Sequence, residues 1–135
     1  DLQSSHVIPA LIRKTHQAKE MDDATVDIWG TGRPFREFLH VDDLADALVH
    51  LLKVYSGPSH VNIGTGEEIS IKELAHTIAS VVGYQGRMNF DGDKPDGAPR
   101  KLLDSRIMKD LGWISSIRLD DGIKKTYDWF LSTQI

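Results

Sequence analysis

Residues 25–43 pass through a strand-like alternation, a glycine-rich break and a second extended stretch, then run directly into a helix. That order constrains the fold more than any other feature, because strands that alternate with helices must bury their apolar faces against them in an α/β layer. Residues 25–29 alternate with a period of two, residues 30–34 are breakers, residues 36–41 are extended, and Asp42 reads as an N-cap. The stretch also sets an aromatic face, Trp29, and a guanidinium, Arg36, on the two sides of the glycine turn. Trp29 offers a surface for stacking a base, and Arg36 a forked donor suited to a pyrophosphate. A plain glycine-rich hairpin whose Trp covers a core edge accounts for the same residues, so this turn alone does not decide.

The alternation continues along the chain. Ser5 is expected to cap a helix over 6–19, with Pro9 in its first turn and Val7, Ile8, Leu11 and Ile12 supplying an apolar side. Leu44, Ala45, Ala47, Leu48, Leu51 and Leu52 recur at helical spacing and predict a helix over 42–54. Residues 60–63 form a short strand candidate closed by Gly64-Thr65-Gly66. Ser70 and Glu73 have the spacing of a capping box for a helix over 71–82, stopped by Gly83. A strand over 87–90 precedes a polar loop, residues 91–100, with two prolines and two glycines. Asp104 is read as the cap of a short helix ending at Gly112, and residues 119–132 as a terminal helix with Ile123, Tyr127 and Phe130 on one side.

The strands are few and short, so some of them are expected to complete a sheet whose remainder lies outside this chain. The start at Asp1, without an initiator Met or a signal pattern, reads as a cut inside a longer protein. No window of the sequence approaches the ~18 to 20 apolar residues of a membrane span. A net charge of -4 and a pI near 5.8 argue against a nucleic-acid binder, which needs clustered Lys and Arg.

With no cysteine, the chain can hold no disulfide, thiolate metal site or cysteine nucleophile. The six histidines show no metal-ligand spacing within one helix, so no metal is expected. Dinucleotide binding calls for Gly-x-Gly-x-x-Gly between a strand and a helix, and neither Gly30-Thr-Gly32 nor Gly64-Thr-Gly66 supplies the third glycine. A Tyr-x-x-x-Lys pair is also missing, since Ser59, Met88 and Leu131 stand four residues after the three tyrosines. The positive groups available to a phosphate are Arg13, Lys14, Arg33, Arg36, Lys94 and Arg100. Asp96, in Lys94-Pro-Asp-Gly97, either stabilises its own turn or accepts from a ribose hydroxyl or a base N–H.

Six segments together carry a resemblance: residues 5–14 (SHVIPALIRK), 29–32 (WGTG), 36–43 (REFLHVDD), 61–66 (VNIGTG), 94–97 (KPDG) and 99–104 (PRKLLD). Over nearly its whole length the chain resembles the C-terminal half of the GDP-L-fucose synthase family, within the extended short-chain dehydrogenase/reductases that act on nucleotide sugars. REFLHVDD and VNIGTG mark the wider family; HVIPAL and the KPDG-x-PRK segment narrow it. The resemblance implies an α/β fold of the NAD(P)-binding Rossmann superfamily, with residues 1–135 as its mainly substrate-binding portion and the dinucleotide-binding portion absent.

It further implies epimerisation of GDP-4-dehydro-6-deoxy-D-mannose at C3 and C5, then reduction of the C4 ketone by NADPH. The family's base is a cysteine and its ketone is polarised by Ser, Tyr and Lys, all in the N-terminal half, so this chain alone is expected to be inactive. His6 matches the histidine that lies against the cofactor and is implicated as the acid in epimerisation. Lys14, Trp29, Arg36 and Asp96 match positions that contact the GDP-sugar. A homodimer in the full-length protein and a cytoplasmic setting follow from the same resemblance. The alternatives are another nucleotide-sugar epimerase or dehydratase of the extended family, and a non-catalytic sugar-nucleotide binding module.

Overall fold

The computed structural model describes residues 2–57, 61–65, 67–97, 99–101 and 106–133, without the side chains of residues 2–6, 100 and 101. Helix α1 spans Leu2–Glu20, beginning earlier than the sequence pattern indicates. Ser5 therefore lies inside the helix instead of capping it, and Pro9 sits in the interior, where the Ser5 carbonyl loses its N–H partner. Strand β1, Thr25–Trp29, points Val26 and Ile28 inward and the alternate residues outward. Strand β2, Phe35–Arg36, is shorter than expected, and α2, Val41–Val54, starts from His40 rather than Asp42. The His40 imidazole itself caps the helix, its Nδ1 accepting the Asp42 N–H at 3.0 Å.

After α2, residues 61–63 have no strand partner among the described residues, so the strand expected at 60–63 does not form there; His60 and Gly66 lie outside the described residues. Strand β3, Ile69–Ser70, leads into α3, Ile71–Val82, whose capping is as expected: Ser70 Oγ accepts the Glu73 N–H at 3.1 Å and Gly83 closes the helix at φ 81°. Strand β4, Arg87–Asp91, pairs parallel with β1 in register Thr25 to Arg87 through Trp29 to Asp91. Strand β5, Arg100–Lys101, completes a three-stranded sheet of order β3-β2-β5, antiparallel on one side of β2 and parallel on the other. Helices α4, Arg106–Asp110, and α5, Leu119–Thr133, follow; the cap expected at Asp104 lies outside the described residues.

The main core joins α1, β1, α3 and α5 through Leu11, Ile12, Val26, Ile28, Leu74, Ile78 and Ile123. Each large aliphatic side chain fully buried there contributes about 1.5–3 kcal/mol. The same core carries a polar pair, in which His16 Nδ1 and the Tyr127 hydroxyl meet at 2.9 Å. Burial pushes that phenol above its usual pKa, and the nearby Glu20 and Asp128 carboxylates add to the shift. A second cluster, Ala47, Met108 and Trp113, fixes the inner side of α2 against α4 and the half-buried Val61 and Ile63.

Candidate functional site

The parallel pairing of β1 with β4 brings the glycine turn after Trp29 beside the polar loop after Asp91. The Gly30 N–H donates to the Asp91 carbonyl at 2.8 Å, extending the ladder by one bond past the strand ends. Trp29 is 67% exposed at this edge, and the Lys94 ammonium stands 5.4 Å from its ring centroid. Asp96 then reaches back across the turn. Its Oδ1 accepts the Thr31 N–H at 2.6 Å and its Oδ2 accepts the Thr31 hydroxyl at 2.8 Å.

Glycine is required twice in this turn. A Cβ built on Gly30, whose φ is 94°, would run into the Asp96 carboxylate. One on Gly32, at φ 78°, would press into the Phe90 ring at 2.9 Å. Both glycine positions are thus closed by the chain's own side chains, Asp96 over Gly30 and Phe90 over Gly32.

Arg36 lies just beyond it on β2 and is only 6% exposed. Among the described residues its guanidinium donates to one acceptor, the Phe35 carbonyl, at 2.7 Å, and no carboxylate pairs with it. A Cβ built on Gly97 would sit 3.5 Å from Arg36 Nη2, so the end of the polar loop abuts the guanidinium. A buried cation without a counter-ion is costly and calls for an anion. On the other side of Trp29 is a cleft of about 480 Å³ lined by Asp27, Asn89, Asp91 and Asp93 among others. Those carboxylates disfavour phosphate there, which orients an anionic ligand toward Arg36.

Lys14, on α1, donates to the Asp27 carbonyl at 3.3 Å, which holds its ammonium against β1 two residues before Trp29. The structure therefore connects Trp29, Asp96 and Arg36 along the 94–97 loop, while Lys14 lies at mid-strand on β1, and Asp96 spends its carboxylate on Thr31. The His6 side chain and that of Arg100 lie outside the described residues. Among the described residues no group of three His, Asp or Glu side chains is placed to hold a metal.

Two supporting carboxylates carry no sequence signal of their role. Glu37 Oε1 accepts the Thr65 N–H at 3.1 Å and packs where any side chain on Gly64 would stand, joining the segment after Arg36 to residues 64 and 65. Asp43 accepts from Ser116 N, Ser116 Oγ and Ile117 N at 3.2, 3.1 and 3.0 Å, fastening the start of α2 to the approach to α5. Neither partner is near in sequence, so only tertiary structure reveals them.

A family model described as "NAD dependent epimerase/dehydratase family" matches residues 1–64, and GDP-L-fucose synthase 1 of Arabidopsis thaliana is 55% identical over 96% of this chain. The crystal structure of a GDP-L-fucose synthetase from Naegleria fowleri bound to NADP superposes with a TM-score of 0.87 at 28% identity, covering 94% of this chain and 40% of that one. A GDP-6-OMe-4-keto-L-xylo-heptose reductase from C. jejuni superposes with a TM-score of 0.86 at 33% identity, covering 95% of this chain and 48% of that one. The chain spans about 40% of the length of the curated relatives it matches.

Proposed function

We propose that this chain is the sugar-nucleotide-binding portion of a GDP-L-fucose synthase. The whole protein would convert GDP-4-dehydro-6-deoxy-D-mannose to GDP-L-fucose, by epimerisation at C3 and C5 and reduction of the C4 ketone. The observation that carries this reading is Arg36, a buried guanidinium with no anionic partner among the described residues, joined to the exposed Trp29 indole through the 94–97 loop. A GDP-sugar supplies what the pair lacks: a diphosphate for the fork and a base for the ring.

In this reading Trp29 stacks the base, Arg36 binds the diphosphate, Lys14 adds a second positive charge, and Asp96 belongs to the same wall. His6 faces the reacting sugar and the cofactor as the acid that returns a proton during epimerisation. NADPH supplies the hydride for the ketone and is held mainly by the portion of the protein outside this chain. That assignment agrees with the glycine turn at residues 30–32, whose two glycine positions are closed by Asp96 and Phe90. The full-length protein works as a homodimer in the same proposal, and these residues alone give no turnover.

Calorimetry of GDP binding to the full-length protein tests the site. Arg36→Ala is expected to weaken GDP about tenfold to a hundredfold, the worth of a charge-assisted contact. Trp29→Ala costs about threefold to tenfold, as for one lost ring contact. Unchanged affinity in both variants, or equal affinity for UDP, sinks the assignment.

A further inference from the structure

We propose that Asp96 is a positioning residue, one half of a two-bond clasp with Thr31, and that Lys94 is the residue of its loop that faces the ligand. This rests on the GDP-sugar reading above and assigns how one wall of that site is built. The loop leaves β4 with three backbone-directed bonds: Gly30 N to Asp91 O at 2.8 Å, Lys94 N to Asp91 O at 3.1 Å, and Asp93 N to Asp91 Oδ1 at 3.1 Å. Its far end is held where the Pro99 carbonyl accepts the Phe35 N–H at 2.9 Å. Between these two anchorages the Asp96 carboxylate takes one donor on each oxygen, both from Thr31, at 2.6 and 2.8 Å.

The Thr31 hydroxyl is itself fixed. It accepts the Arg33 N–H at 3.2 Å while donating to Asp96, so its rotamer is set from both sides. Gly30 contributes by having no side chain, since a Cβ there would fill the space the Asp96 carboxylate occupies. Pro95 restricts the backbone just before the clasp, and Gly97, at φ 78°, turns the chain just after it.

The clasp sits midway between two contacts that define the ends of the proposed ligand trough. Two residues before it, Lys94 lies against the Trp29 ring; one residue after it, Gly97 lies against the Arg36 fork. Fixing Asp96 therefore fixes the spacing between the aromatic platform and the guanidinium wall. Lys94 is the cation of this loop that lies over the platform. In the free protein its ammonium covers part of the indole as an exposed cation–π partner. A base entering over Trp29 displaces it cheaply, and the ammonium is then beside a diphosphate.

A double-mutant cycle on the full-length protein separates clasp from direct ligand contact. GDP affinity is measured by calorimetry, and KM and kcat are measured with the GDP-sugar, in wild type, Thr31→Val, Asp96→Ala and the double variant. Because Thr31→Val leaves the backbone N–H bond, it is expected to weaken GDP about threefold, against about tenfold for Asp96→Ala, which removes both bonds. The double variant should again lose about tenfold, where independent sites would give about thirtyfold.

The losses should appear in KM with kcat retained, because binding geometry is lost and not folded enzyme. Thr31→Ser keeps the hydroxyl and should restore wild-type affinity. Lys94→Met should weaken GDP more than guanosine, marking the ammonium as a phosphate partner. If Thr31→Val binds GDP as tightly as wild type while Asp96→Ala loses affinity, or if the two losses multiply, Asp96 touches the ligand directly and the clasp is overturned. A Lys94→Met variant with unchanged affinity overturns the role of Lys94. Failure of the wild type to bind GDP would instead remove the binding reading and the clasp's role together.

Discussion

At the scale of single residues, the sequence exposes the groups that do chemistry but hides those that hold them. Trp29 and Arg36 stand out as an aromatic and a guanidinium on the two sides of a glycine turn, and the family resemblance, not the turn alone, gives them a use. Asp96 stands out too, yet its partner Thr31 is 65 positions away, and no local pattern links them. Asp43 is the sharper example. It is 2% exposed and accepts three hydrogen bonds from residues 116 and 117, although by sequence it is only one of two carboxylates at a helix start. Asp43→Ala removes the acceptor of three part-buried hydrogen bonds and should cost about 1–2 kcal/mol, read as a lowered unfolding midpoint in urea. GDP affinity at a temperature where the variant is folded should fall far less than in Arg36→Ala, because Asp43 supports α2 and not the trough. An undiminished midpoint would show that the tether carries no stability.

At the scale of elements, legibility follows how local the stabilising interaction is. Helix α3 is readable from end to end because its cap, its apolar stripe and its stop all lie within fourteen consecutive residues, 70–83. Ser70→Ala should therefore cost about 1 kcal/mol and expose the first turn of α3 to faster amide exchange, while Ser70→Asp, which also accepts the Glu73 N–H, should not. Equal exchange in both variants would mean that the pairing of β2 with β3 alone holds that end. Strands β3 and β5 were not legible, since two residues carry no periodicity and exist only through their pairing with β2. The start of α2 was misplaced because His40 caps through a ring nitrogen, outside the usual set of capping oxygens. Residues 61–63 show the opposite error. Their alternation reads as a strand, but alternation only specifies a strand that has a neighbour to pair with.

At the scale of the whole molecule, the most telling surface is the outer side of α2. Val41, Leu44, Leu48 and Leu52 follow one another at helical spacing on one face, and Leu52 is 86% exposed. The inner side of the same helix is already packed on Met108 and Trp113, so α2 is apolar on both sides, as a helix between two layers is. Contiguous apolar surface of this kind marks an interface. The chain spans about 40% of the length of its curated relatives, and we propose that α2 is covered by a layer from the rest of such a protein, beside residues 61–63, which have no strand partner among the described residues. Replacing Leu48 with Glu and Leu52 with Lys tests this in two contexts, with the new pair spaced to attract along the helix. In the isolated 135-residue chain the double change should suppress self-association seen by light scattering, because it removes sticky surface and breaks no contact. In the full-length protein the same change should cost about 2–4 kcal/mol, the burial energy of the two side chains, and lower the unfolding midpoint. A full-length protein as stable as wild type would mean that this face of α2 meets water in the whole molecule, and that residues 61–63 find their partner elsewhere.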